Sequence, residues 1–354
     1  MISSDKSLDA NQKKDLDEID QGCQNVLAEL QAILDKNSEL GSSTGTFGKR
    51  LTRAWKRVKW DQEEINGLRN QLSWNINLLN AFNGRLTLDH VVRLVQHQED
   101  QGRQAILDWL APSGHVAQQS DVLGRRQTGT GQWLLDSPEF KWWTSNTHQT
   151  LFCPGIPGAG KTVLTSIVIE ELKLKAQHDS SIGVAYLYFD YRRQNERTPE
   201  NLLATILKQL LQNHNTLPDT VKTFYDNNKN EQLCMSIDAL SKAFRSVVGQ
   251  YSRVFIVVDA LDEYCNKYRA RFLDVISDLQ AMSGTGLNLF ATSRFIPEIM
   301  KRFENDPLIE IRASEDDVRS YLRGHISRLP IFVQRDTIIQ EAIETKIVKV
   351  VDGM

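Results

Sequence analysis

Residues 155 to 162 read Gly-Ile-Pro-Gly-Ala-Gly-Lys-Thr, a complete GxxxxGK(S/T) pattern. Glycine at these places lets consecutive backbone N–H groups converge on phosphate oxygens, because no Cβ stands between them and the anion. The run that follows, from Val163 to Lys175, has helical character, so the positive end of a helix dipole would face the same anion. On this reading Gly155, Ile156, Pro157, Gly158, Ala159, Gly160, Lys161, Thr162 and Val163 form a cradle for the phosphates of a nucleotide. Lys161 would bring its charge to the β- and γ-phosphates, and the Thr162 hydroxyl would ligate Mg²⁺. A glycine-rich linker shares the composition of this stretch. It does not share the spacing, nor the position between the apolar run Thr150-Leu151-Phe152-Cys153 and a helix.

Two further stretches carry chemistry that fits this cradle. Val254 to Asp259 is an apolar strand ending in a carboxylate, followed by Ala260-Leu261-Asp262-Glu263. Asp259 fits the acid that holds Mg²⁺ together with Thr162, while Asp262 and Glu263, one turn further on, are candidate general bases for an attacking water. The third stretch is GLNLFATSR, residues 286 to 294. If that strand lies between the other two, its polar end points at the γ-phosphate and Arg294 is placed to sense it. The candidate catalytic set is therefore Lys161, Asp259, Asp262, Glu263 and Arg294, with Thr162 and Asp259 as the metal pair.

The elements that must position these residues can be read from periodicity. Beyond residue 150, apolar β-type runs (151–152, 183–189, 253–260, 286–293 and 308–311) alternate with helical segments near 163–177, 199–213, 236–248, 267–281 and 314–328. Such alternation predicts an α/β fold, a parallel P-loop NTPase sheet of the additional-strand type with helices on both faces. Earlier in the chain, residues 12–37 place Leu16, Ile19, Cys23, Val26, Leu27, Leu30, Ile33 and Leu34 on one helical stripe. A third stretch, about 61–86, does the same with Ile65, Leu68, Leu72, Ile76, Leu79 and Phe82. Between them, residues 47–59 carry six basic residues and no acid opposite an apolar face, a candidate contact for an anionic membrane or a partner, with the acid-rich residues 9–20 an available neighbour. None of these stripes can be buried alone, so an all-α bundle or hairpin precedes the sheet. The predicted domains are 1–100 (helical), 101–147 (linker and pre-loop segment), 148–330 (NTPase) and 331–354 (the start of a further helical region).

At 354 residues, 40 % hydrophobic and 25 % charged, with a net charge of −3, the chain reads as a soluble globular protein with no global pull toward nucleic acid. No specific nucleic-acid partner is expected. Cys23, Cys153, Cys234 and Cys265 are far apart and form no metal-ligand spacing, and Cys153 reads as a small buried residue. The N-terminus lacks an apolar signal segment and no run of 18 apolar residues occurs, so the predicted compartment is the cytoplasm.

LFCPGIPGAGKTVLTSIVIEEL, YFDYRRQNERTPENLLATILKQLL and VFIVVDALDE followed by ATSR resemble the NACHT-type nucleotide-binding domain of fungal STAND proteins, relatives of the NOD-like receptors. RRQTGTGQWLLDSPEFKWW is similar to the segment preceding that domain, and residues about 15–90 resemble the HeLo-like fungal STAND N-terminal domain. The resemblance implies a slow ATPase switch whose nucleotide state controls self-association and output by the helical N-terminus, in fungal innate immunity or programmed cell death. Members of that family continue past a segment like 347–354 into a winged helix and repeats, so the resemblance also implies a truncated chain. The polar residues 1–11 differ from the more apolar first helix usual there. Two other readings stay open on the residues themselves: a small-molecule phosphotransferase, which shares the phosphate loop, and a scaffold that binds nucleotide without turnover.

Overall fold

The computed structural model describes residues 10–36, 62–111, 115–192, 198–214, 217–229, 236–282, 284 and 286–351. The basic stretch 47–59 and Cys234 lie outside them. The chain divides into two compact units, Met1–Gln101 and Gly102–Met354. Among the described residues no helix is long and apolar enough to cross a membrane.

The first unit is built on α1 (Ala10–Lys36) and on α2 (Gln62–Leu110) as far as Gln101; the last turns of α2 belong to the second unit. Gln12 donates to Asp89, Arg85 pairs with Asp15 at 2.8 Å, and Gly22 packs on Asn75, so the two helices run antiparallel. Gly22 is needed there because a Cβ would collide with the Asn75 side chain. The seam is narrower than the sequence stripes. Leu68, Asn75 and Phe82, spaced by seven, are buried, as are Ile19 and Val26 opposite. Two helices in contact cover only such a heptad strip, which is why Leu16, Leu27, Leu72, Ile76 and Leu79 remain exposed. Trp74 stands 70 % exposed. Helix α2, expected to end near residue 86, continues to Leu110 and stops two residues before Pro112, as the bias of pre-proline residues away from the helical region requires.

The second unit holds α3 (His115–Gly124), α4 (Gln132–Asp136), α5 (Pro138–Ser145), β1 (Thr150–Pro154) and α6 (Lys161–His178). There follow β2 (Ile182–Tyr188), α7 (Pro199–Gln212), α8 (Asp219–Asn228), α9 (Ile237–Val248), β3 (Arg253–Asp259), α10 (Asn266–Ala281), β4 (Leu287–Ser293) and α11 (Pro297–Arg302). The C-terminal helices are α12 (Glu315–His325), α13 (Ile331–Gln334) and α14 (Thr337–Val351). The four strands are parallel in the order β1-β4-β3-β2, so the strand ending at Arg294 does lie between the phosphate-loop strand and the acidic strand. The fifth apolar run forms no named strand. It pairs with β1 through Phe152 N–H to Pro307 O, Ile309 N–H to Phe152 O and Ile311 N–H to Pro154 O, with one bridge at Leu308.

Side chains alternate across the sheet with period two. Val254, Ile256 and Val258 of β3 enter one core with α7, α9, α10 and the last turns of α2, while Phe255 and Val257 enter a second core with α4, α5 and α6. Helix α6 is buried over Leu164 to Ile169, so its N-terminus is fixed by packing on the sheet. A side-chain amide and an indole lock the far end of the sheet. Asn288 accepts from Gln149 N–H at 3.0 Å and donates to Trp143 O and Asn146 O at 2.7 and 2.6 Å, and Trp143 donates its indole N–H to Leu289 O at 3.0 Å. In Asn288→Asp a carboxylate oxygen would face two carbonyls inside the core. The expected loss of stability is about 3 kcal/mol, read as a lower urea midpoint with an unchanged slope; a change below about 0.5 kcal/mol would contradict the role given to this amide.

Candidate functional site

Because all strands are parallel, their carboxyl ends meet at one edge. Three turns leave that edge side by side: the loop 155–160 after β1, the turn 260–263 after β3, and Arg294 after β4. Between them lies a cavity of about 380 Å³ lined by Pro157, Gly158, Gly160, Lys161, Thr162, Val163, Ala260, Asp262, Glu263 and Arg294.

The loop takes its shape from Gly158 and Gly160, at φ 84° and 91°. Helix α6 begins at Lys161 behind Gly160, which has no side chain to cap it, so the first-turn amides are left for a ligand. Gly155 serves a different purpose. Its amide continues the β1–β4 ladder to Ser293 O, and a Cβ there would press on the backbone of Ile311. Ala159 and Ile156 likewise face the second core, beneath the cavity. Lys161 folds back so that its ammonium donates to Gly155 O at 2.8 Å and Ile156 O at 2.9 Å. Burial pulls its pKa below the ordinary lysine value, against the opposing pull of Asp262 and Asp259.

Asp259 is buried and accepts three hydroxyl hydrogen bonds: Thr162 Oγ1 to Oδ2 at 2.7 Å, and Thr165 Oγ1 and Thr292 Oγ1 to Oδ1 at 2.9 and 2.7 Å. Burial raises its pKa above the ordinary carboxylate value, and the three hydroxyls offset part of that rise. Thr162 lines the cavity, and its hydroxyl touches the Asp259 carboxylate buried behind it; the two are hard oxygen donors, a donor set that fits Mg²⁺. Thr165 was legible in principle. It lies three residues after Thr162 and hence on the same helix face.

The two acids beyond Asp259 part company. Asp262 is nearly enclosed and receives both the Arg294 amide (2.9 Å) and its Nε (2.8 Å), so it anchors the arginine. Glu263 is more open. Its Oε2 accepts from Tyr191 N–H at 3.2 Å and its Oε1 lies 3.6 Å from Arg294 Nη2. Of the pair, Glu263 is the one with a carboxylate available to water. Asp190 shapes this contact from a distance by accepting from Arg192 N–H, which closes the turn that presents the Tyr191 amide.

The segment before β1 also reaches the site. Gly131, at φ 80°, packs so closely on Leu164 and Ile167 of α6 that no side chain fits. Asp317 of α12 accepts from Gly131 N–H and from the Trp133 indole, all at 3.1 Å. Gln119 of α3 donates to Ser166 O and receives the Tyr188 hydroxyl. These ties brace the first turns of α6 from outside.

Residues 129–294 match the model of a family described as Nephrocystin 3, N-terminal. The match covers less than half of the chain and ends on Arg294. No curated protein matches the chain. Similar solved structures include a Walker-type ATPase of Pyrococcus abyssi, at 14 % identity and TM-score 0.40 over 62 % of this chain and 64 % of that one. The Aeropyrum pernix ORC1 protein in complex with DNA gives 12 % identity, TM-score 0.35 and coverage of 52 % and 45 %. Drosophila ORC bound to DNA gives 17 %, 0.37, and 70 % and 57 %. The chain spans less than two thirds of each of these. Its own strand order, glycine-capped helix and Thr162–Asp259 pair are those of a P-loop NTPase.

A folded-state pKa above the ordinary value means that Asp259 weakens the metal-free fold as pH rises from the ordinary carboxylate pKa of 3.8 toward the raised one. Asp259→Asn lacks this penalty. Without metal or nucleotide, the variant is expected to melt at a higher temperature than the parent at pH 7.5, with the gap closing toward pH 4; a gap independent of pH would contradict the assignment.

Proposed function

We propose that the chain is a nucleotide-dependent switch of the STAND type, with a NACHT-like P-loop domain that binds ATP or ADP with Mg²⁺ and hydrolyses ATP slowly. The observation that carries this reading is the convergence of Lys161, Thr162, Glu263 and Arg294 on one cavity, with Asp259 held directly behind Thr162. The glycine loop and the open first turn of α6 would hold the phosphates, with Lys161 moving from the loop carbonyls to the β- and γ-oxygens. Thr162 and Asp259 would hold Mg²⁺, which when bound neutralises phosphate charge. Glu263 would orient the attacking water and take its proton. Arg294 would leave the acids for the γ-phosphate, so its position reports which nucleotide is present.

That exchange of partners also supplies the switch. A ligand shifts a conformational equilibrium only by its differential affinity for the two states, and ATP alone offers Arg294 a γ-phosphate to trade for Asp262 and Glu263. The NACHT-like and HeLo-like resemblances support self-association in the ATP state, output by the helical N-terminal unit in the cytoplasm, and a place in fungal immunity or programmed cell death. The predicted division into 1–100, 101–147, 148–330 and 331–354 belongs to the same reading.

Lys161→Ala is expected to lower affinity for MgATP and MgADP at least about 100-fold, read by calorimetry, because one charge–phosphate contact in a partly enclosed site is lost. Glu263→Gln should bind normally and hydrolyse about 10²- to 10⁴-fold more slowly per bound nucleotide. Unchanged affinity in the lysine variant would remove the nucleotide reading; normal turnover in the glutamine variant would remove Glu263 as base.

A further inference from the structure

The register of β3 against β4 ends with Val258 opposite Ala291. Beyond that pair the amide just past β3, that of Ala260, is taken by no backbone carbonyl of β4. The side chain of Thr292 does so instead: its Oγ1 accepts from Ala260 N–H at 2.9 Å and donates to Asp259 Oδ1 at 2.7 Å. The polarity of this chain is fixed. An amide can only donate, so the hydroxyl must accept there, and its single proton is left for the carboxylate. Thr292 is fully buried, so no water competes for either bond.

Ala260 sits at φ 54° and ψ 51°, in the left-handed region that residues with a Cβ avoid. Its conformation reverses the chain at the end of β3. The following 3-10 turn, Leu261–Glu263, closed by Glu263 N–H to Ala260 O at 2.8 Å, drops Leu261 into the core and turns Asp262 and Glu263 to the cavity. In a more ordinary extended conformation the strand would run straight on, and the two acids would leave the edge where the phosphate loop lies.

We infer that Thr292 is the positioning residue of this site, one hydroxyl that sets both the Asp259 carboxylate beside Thr162 and the strained Ala260 turn that aims Asp262 and Glu263. The inference rests on the nucleotide reading of the cavity. Its two arms separate physically. The bond to Asp259 governs the metal pair, and the bond to Ala260 governs the base.

The test uses the full chain, MgADP and ADP with EDTA as binding probes, and ATP turnover. In Thr292→Val, similar in volume but unable to make either bond, the advantage that Mg²⁺ gives to ADP binding should fall about 10- to 100-fold, as for other groups that orient a metal ligand, while affinity in EDTA stays within about threefold. Turnover per bound nucleotide should fall by a similar factor. Thr292→Ser keeps the hydroxyl and should stay within about threefold of the parent in both readouts. Adding Ala260→Gly to Thr292→Val frees the left-handed turn from its steric penalty and should recover part of the turnover at saturating Mg²⁺ without recovering the Mg²⁺ effect on ADP binding. A valine variant that melts like the parent with an unaltered Mg²⁺ effect would overturn the inference, as would a folded serine variant that behaves like valine. Lys161→Ala separates the two levels: if it binds ADP as the parent does, the nucleotide reading fails, whereas a lysine variant that loses ADP beside an indifferent valine variant removes the role of Thr292 alone.

Discussion

A buried carboxylate is the constraint around which the second unit is organised. Burying the charge of Asp259 is unfavourable, and three threonine hydroxyls from two segments compensate it: Thr162 and Thr165 on the first turns of α6, and Thr292 at the end of β4. Those contacts require that β4 lie between β1 and β3 and that α6 start directly over their ends. The strand order β1-β4-β3-β2 meets the first demand and the all-round burial of α6 meets the second. Removing one of the hydroxyls would leave a buried acceptor short of a partner, so sheet topology and site chemistry are one packing problem.

The same site satisfies its own charges without a ligand. Lys161 rests on two loop carbonyls and Arg294 on two acids. Both cationic side chains that a nucleotide would engage therefore have partners to give up. Such an arrangement favours discrimination over raw affinity, because only a ligand that replaces each partner gains the full interaction. It also links the site to the rest of the unit. Glu263 touches the turn after β2 through Tyr191, and the phosphate-loop helix is braced by Gln119, Gly131 and, through Gly131 and Trp133, by Asp317 of α12.

Much of this was legible in the residues. The glycine spacing, the apolar strand ending in Asp259 and the ATSR strand end each carry their chemistry in the chain itself, and period-two burial follows from runs such as Val254 to Val258. What escaped had physical reasons. Asp262 and Glu263 look interchangeable in sequence, and only the reversal at Ala260 hands one to Arg294 and leaves the other open. Gly155 looked like a phosphate glycine, yet its lack of a side chain is demanded by Ile311, more than 150 residues away. The heptad of the first unit was hidden because its central member is Asn75, a polar residue that apolar counting passes over. The Leu308–Ile311 run pairs with β1 through alternate bonds, and Pro307 and Pro154 each withhold an N–H from that edge.

The central claim is that this edge of the sheet is a metal-assisted nucleotide site whose resting contacts are displaced on binding. Titrating ATP into nucleotide-free protein by calorimetry, with Mg²⁺ and again with EDTA, tests it most directly. The account predicts one saturable site per chain and markedly weaker binding when the metal is chelated. Absence of saturable binding, or an affinity indifferent to Mg²⁺, would contradict it.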